Sequence, residues 1–459
     1  MQKRLKKKSG QFGTTPVFMA SICTILGAIL FLRFGYSVGH VGFIGALGII
    51  LLGHAVTIPT AMAVAEIATN KKVEGGGDYY VISRSFGLNI GGAIGIALYF
   101  SQAISIAFYI IAFAEAFAPF GTYLNETYHL GNLGYLLLNK KAIGLTAMCI
   151  LTALMLTKGA NIGVKALYGV AAILFLSLVM FFLGKSQISL SDVSFVRSIK
   201  NSDSFFYVFT IIFPAFTGIS AGLGLSGDLK NPKKSIPRGT LIATIVGAFI
   251  YVLVALKLVT STSLENLANN QMVMSDIAIW GPIIPIGLAC AAISSALGSI
   301  MVAPRTLQAL GKDQLFATKN FDTWIAKGRE QDNEPINGSV ITCVIAFFFI
   351  YVGDINFVAQ IISMFFMVTY GAICLISFLE HFSGDPSYRP TFKSRWYISL
   401  LGAVLSVWLM FKMNTPYAIL SILLMTGFYY YIRRSSGDKR KIVSLFRDVL
   451  IQFLSLIHI

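Results

Sequence analysis

Charge is what this sequence has least of. Only 12% of its 459 residues are charged, against 56% hydrophobic, and the mean hydropathy is +0.73. A soluble globular chain is about a quarter charged, so this composition excludes one and calls for a polytopic membrane protein. Histidine and cysteine are sparse as well, with 5 of each. The histidines are scattered without paired spacing, which argues against enzyme chemistry. Cys23, Cys149, Cys290, Cys343 and Cys374 all lie in apolar runs, with neither metal-ligand spacing nor an obvious disulfide partner. They read as small core hydrophobes. The short alternating segments of outer-membrane strands are missing. So is a cleavage site after the basic opening MQKRLKKKSGQFG, which is expected to be a cytosolic tail over residues 1–14.

What is there is length. Apolar runs able to cross a hydrocarbon core of roughly 30 Å recur along the chain. Their approximate bounds are 15–34, 43–65, 89–117, 142–157, 166–183, 207–227, 239–259, 283–302, 339–353, 357–379, 396–412 and 416–432, about 12 spans in all. The fold class is therefore an all-α membrane bundle, one transmembrane domain over residues 15–432. Residues 433–459 begin basic and turn amphipathic, as a cytosolic tail helix lying under the membrane would; the abrupt apolar ending leaves truncation there open. With both termini cytosolic, about 28 of the 36 Lys and Arg face inside, as the positive-inside rule expects. The net charge of +16 is then topological, set against lipid headgroups rather than nucleic acid.

One run resists a simple helix. Residues 213–232, FPAFTGISAGLGLSGDLKNP, place a proline, a threonine, two serines and several glycines at membrane depth. GISAG and GLGLSG inside it match nucleophile-elbow and dinucleotide patterns, but both need a preceding strand in a soluble sheet. A discontinuous helix explains the run better: Pro214 lacks an amide proton, and Gly218 and Gly222 relax the backbone. Backbone leaves the helical pattern at membrane depth only where it lines a cavity or is packed in protein. The carbonyl side of such a break suits cations and the amide side suits anions. The first span, with Thr24 and Gly27 near its middle, supplies a matching break. Breaks in the first and sixth spans are what a 5+5 inverted repeat of the LeuT-like kind requires. Arg33 and Glu115, near the outer ends of the first and third spans, are expected to pair as an extracellular gate. Lys257, also near an outer end, is expected to reach the headgroups. The long inner connections 66–88 and 303–338 read as gate elements or structured connectors.

These residues resemble the cation-chloride cotransporter family, within the amino acid–polyamine–organocation superfamily. The matching motifs are ILGAILFLRFGYSVG (25–39), EGGGDYYVISRSFG (74–87), AFYIIAFAE (107–115), FPAFTGISAGLGLSGDLKNP (213–232), SSALGSIMVAPRTLQALGKD (294–313), IISMFFMVTYGAI (361–373) and RPTFK (389–393). The resemblance runs from about residue 12 to residue 432, without the family's large cytosolic C-terminal domain.

It implies a potassium site at Thr24, Ile25, Tyr109, Pro214 and Thr217, although the family usually has Asn where this chain has Thr24. It implies a sodium site from the carbonyls of Cys23, Leu26 and Ala291 and the hydroxyls of Ser294 and Ser295, oxygen donors suited to a hard cation. Potassium–chloride members lack that serine pair. Chloride is implied at Gly27, Ala28 and Ile29, and again at Gly218, Ile219 and Ser220 with Tyr370. The expectation is sodium-coupled chloride symport by alternating access, with potassium as a further cargo, no cofactor, a plasma-membrane location, and a homodimer as a candidate assembly. The alternative is a sodium-coupled amino-acid or amine carrier. Such carriers usually hold a Gly-Ser-Gly-type run at the first break, where this chain has Thr24-Ile25-Leu26-Gly27.

Overall fold

A peptide group that enters hydrocarbon must find its hydrogen-bond partner within the protein, and a helix supplies one from inside the segment itself. The apolar runs fold accordingly. The computed structural model describes residues 13–70, 78–129, 134, 138–158, 163–189, 193–223, 229–329, 333–382 and 388–435. The opening basic tail and the amphipathic C-terminal tail fall outside the described residues.

The first span consists of α1 (Thr14–Ile25) and the part of α2 (Ala28–Asn70) before Gly42, and the remainder of α2 is the second span. The turn between them is at Gly42, with φ +70. A side chain there would be strained by that backbone, and its Cβ would stand 2.9 Å from the carbonyl oxygens of Val196 and Arg197. Those carbonyls belong to a strap whose backbone bonds on either side of the turn: Ile44 N–H to Phe195 O at 3.1 Å and Ile199 N–H to Gly39 O at 3.1 Å.

A short α3 (Asp78–Phe86) leads into the third span, α4 (Leu88–Tyr128); α5 (Lys140–Lys158) and α6 (Gly163–Phe182) complete the first half. The sixth span is α7 (Phe205–Ile212), a 3₁₀ turn over Phe213–Phe216, and α8 (Ile219–Leu223). The seventh is α9 (Pro232–Val259). After the short α10 (Leu264–Asn269) and α11 (Val273–Ile277) comes the eighth, α12 (Ile283–Lys312). Then follow α13 (Lys319–Ala326), outside the spans, and the last four crossings: α14 (Ile336–Val352), α15 (Ile355–Phe382), α16 (Trp396–Met413) and α17 (Thr415–Ser435). This is the expected bundle of about 12 membrane helices, interrupted in its first and sixth. The most apolar window of α4 is 89% buried and that of α17 only 17%, so the third span stands in the middle of the bundle and the last on its lipid face.

Polar groups tie several helix ends together. The carboxylate of Glu66, 1% exposed, accepts from the hydroxyls of Ser394 (2.6 Å) and Ser377 (2.9 Å), and His381 Nε2 lies 3.4 Å from its other oxygen. This joins α2, α15 and the entry to α16. The two long connections, 66–88 and 303–338, meet each other: Arg84 forms a two-pronged pair with Asp313 at 2.9 and 3.0 Å, and Tyr79 donates to the same carboxylate at 2.6 Å. Lys257 donates to the carbonyl of Gly184 at 2.7 Å.

Candidate functional site

The first break follows from one glycine. Helix α1 ends at Ile25 because Leu26 turns to ψ 34, although its N–H still reaches Ile22 O at 2.8 Å. A Cβ on Gly27 would lie 2.8 Å from the carbonyl oxygen of Thr24, so only glycine lets the chain turn this tightly. Helix α2 then restarts at Ala28, where first-turn amides have no carbonyl four residues back to serve. Those amides, Gly27 to Ile29, are the proposed anion donors of the first break. Thr24 Oγ1 donates to Ala20 O at 2.9 Å, an ordinary back-bond within α1 that leaves its lone pairs available.

The second break follows from Pro214. Helix α7 opens on Ser204, whose hydroxyl accepts from Tyr207 N–H at 3.4 Å, and runs only to Ile212. Proline at the head of the next turn draws it into 3₁₀ geometry. Pro214 O receives both the N–H (3.2 Å) and the hydroxyl (2.8 Å) of Thr217, and Thr217 O accepts from Tyr370 at 2.9 Å. Gly218 then lies directly against the first break. A Cβ there would come within 2.8 Å of Ser21 O and 3.0 Å of Ile25 N, both backbone atoms, so the glycine sets how closely the two interruptions approach.

A residue from the seventh span joins them. The Tyr251 hydroxyl is hydrogen-bonded to Ile25 O in the first break and to Ala215 O, at 2.8 Å, in the second. Its ring is fully buried and stacks on Phe34, with centroids 4.7 Å apart and planes 19° from parallel. Tyr109, 7% exposed, is buried on the third span. The breaks of the first and sixth spans thus meet at one buried phenol that the sequence did not mark.

The sodium candidates sit on two helices in contact, since α1 packs against α12. Cys23, Leu26 and Ala291 are all buried. Ser295 Oγ is buried with no hydrogen-bond partner, an orphan polar atom of the kind a ligand would satisfy, and Ser294 is 8% exposed one residue before it. For the second anion position, Ile219 and Ser220 are buried at the start of α8, whereas the Tyr370 hydroxyl is directed at Thr217 O and must turn to reach an anion.

Beyond the first break, in α2, Arg33 NH1 lies 3.9 Å from Glu115 Oε2, with the residues 4% and 9% exposed. The pair is electrostatic without a direct hydrogen bond, because the guanidinium is committed elsewhere: Nε to Asn356 Oδ1 at 3.0 Å and NH1 to Leu32 O at 3.1 Å. Asn356 was not marked in the sequence. It is placed by Asp354, whose carboxylate accepts from the amides of Asn356 (2.9 Å) and Phe357 (3.1 Å) at the head of α15.

Known proteins share this sequence pattern. The family profile described as Amino acid permease matches residues 16–459. Solute carrier family 12 member 2 of Mus musculus is 32% identical over 92% of this chain and 39% of its own length, and the Homo sapiens protein is 32% identical over 92% and 38%. Solute carrier family 12 member 1 of Mus musculus is 32% identical over 92% of this chain and 43% of its own length. The chain thus spans about two-fifths of the length of the curated relatives it matches. A family-wide match over nearly all of its length, on a multi-pass bundle with the interruptions described above, places this chain in the amino acid permease family.

Proposed function

We propose that the protein is a secondary active transporter that carries chloride in symport with sodium, and with potassium as a second cation. The observation that supports this is the meeting of the two breaks: Gly218 against Ser21 and Ile25 brings carbonyl ends and amide ends of interrupted helices into one buried place. Carbonyl oxygens favour alkali cations and first-turn amides favour anions, so a site of this kind can hold both signs side by side. Each bound cation strengthens the field that attracts chloride, which couples the occupancies. The partner-free hydroxyl of Ser295 supports sodium as the coupling ion. The Arg33–Glu115 pair would close the outer side of this site while the inner connections open, giving alternating access in the plasma membrane with both termini cytosolic.

Tracer chloride uptake into proteoliposomes, with sodium and potassium omitted in turn, tests the reading. Uptake should collapse without sodium and weaken without potassium; uptake indifferent to both cations refutes it. An organic-solute carrier is the second reading, favoured by the description of the matching family. Against it, the Leu26 amide is spent on Ile22 O, which leaves the first break few amides for a carboxylate. Sodium-driven uptake of an amino acid without chloride uptake would establish it instead.

A further inference from the structure

Tyr251 is one donor facing two carbonyls. A phenol has a single proton, yet its oxygen is within hydrogen-bond distance of Ile25 O and of Ala215 O at 2.8 Å, and these oxygens belong to different broken helices. Phe34 stacks on one ring face and Phe216 meets the ring edge-on at 5.5 Å, so the ring is held while the hydroxyl proton remains free to turn. A cation coordinated by Ile25 O would face a partial positive charge on the same oxygen. We propose that Tyr251 is a positioning residue for the cation site: its proton occupies the Ile25 carbonyl until a monovalent cation takes that oxygen, then turns onto Ala215 O in the sixth span.

The first-span break thus signals its occupancy to the sixth-span break through one hydroxyl, without either helix needing to move first. Each carbonyl has two lone pairs, so Ile25 O can still accept from the phenol in part, but the electrostatics favour Ala215 O once the cation is bound. This rests on the cation site of the proposed function, with Ile25 among its ligands.

The test is Tyr251→Phe in the full chain. It keeps the ring stack and removes only the hydroxyl. Ile25 O and Ala215 O then lose their donor, and a cation relieves that loss at Ile25. The half-saturating potassium or sodium concentration should therefore fall by roughly 2- to 12-fold, the equivalent of one net hydrogen bond. Maximal flux should fall with it, because the sixth span no longer registers the bound cation. Half-saturation is read twice, from tracer chloride uptake and from cation-dependent thermal stabilisation of the detergent-purified protein.

A lower melting temperature with unchanged half-saturation would make Tyr251 a packing strut and overturn the inference; a raised half-saturation would overturn it equally. If neither cation stabilises the wild-type protein or drives its uptake, the proposed function falls and this inference with it. Should Tyr251→Phe not accumulate folded, Phe34→Leu keeps the hydroxyl but loosens its hold on Ile25 O. Its half-saturation should fall in the same direction by less, and an unchanged value refutes the competition.

Discussion

Gly218→Ala is the sharpest perturbation of the meeting point, because it adds one methyl group and nothing else. The new Cβ would sit 2.6 Å from Ile25 Cγ1, 2.8 Å from Ser21 O and 3.0 Å from Ile25 N. The isoleucine methylene can rotate away, but the two backbone atoms move only if α1 moves. Overpacking of this kind costs about 1–3 kcal/mol. If the strain is relieved by parting the breaks, the same energy appears as a site roughly 5- to 150-fold weaker for its ions. Gly298→Ala is the matched control: it adds the same methyl in α12, where no heavy atom lies within 4 Å. That change should be neutral or stabilise by about 0.4–1 kcal/mol through the unfolded chain. Both variants would be titrated with sodium, potassium and chloride in proteoliposomes, and their thermal unfolding followed in ion-free and ion-saturated buffer. Gly218→Ala should lose most of its ion-dependent stabilisation and Gly298→Ala should retain it. Equal ion responses in the two variants would refute the reasoning.

Three further outcomes are expected. Arg33→Glu should impair uptake and the reciprocal Arg33→Glu, Glu115→Arg pair should partly restore it; no rescue by the swap would argue against the gate. Ser294→Ala with Ser295→Ala should raise half-saturating sodium while leaving the melting temperature nearly unchanged, since Ser295 Oγ has no protein partner to lose; unaltered sodium dependence removes both hydroxyls from the site. In α13, outside the spans, burial pushes the Asp322 carboxyl above the usual carboxylate range, while Oδ1 accepts from Phe316 N–H at 3.2 Å and Oδ2 has no partner. The penalty is absent below the ordinary carboxylate pKa, where folded and unfolded chains both hold the proton, and is complete above the raised folded value. Asp322→Asn should therefore melt higher at neutral pH, with the advantage fading on acidification; a pH-independent difference would contradict this.

The spans were legible because a membrane helix is a long one-dimensional signal, and both breaks were legible because Pro214, Gly218 and Gly27 are local reasons to leave a helix. Depth also carried Arg33 and Glu115, whose charges stand out in apolar runs. What could not be read was pairing between distant elements. Tyr251 lies in an unremarkable apolar run, and its importance comes from where α9 packs, bringing one hydroxyl between two carbonyls that are 190 residues apart in the chain. Asn356 is a polar residue at a helix start, a commonplace until Arg33 Nε is found beside it. The inner connections carried visible motifs, but their joining through Arg84, Tyr79 and Asp313 is likewise a three-dimensional fact.

The contrast between the central third helix and the peripheral last one has a practical side. Replacing residues along α4 will nearly always disturb a neighbour, so a survey of random variants should find few survivors there. Along α17, where Leu423 is 63% and Tyr430 61% exposed, the chain should accept bulky probes without complaint. A fluorophore or spin label meant to watch this protein at work belongs on that outer rail.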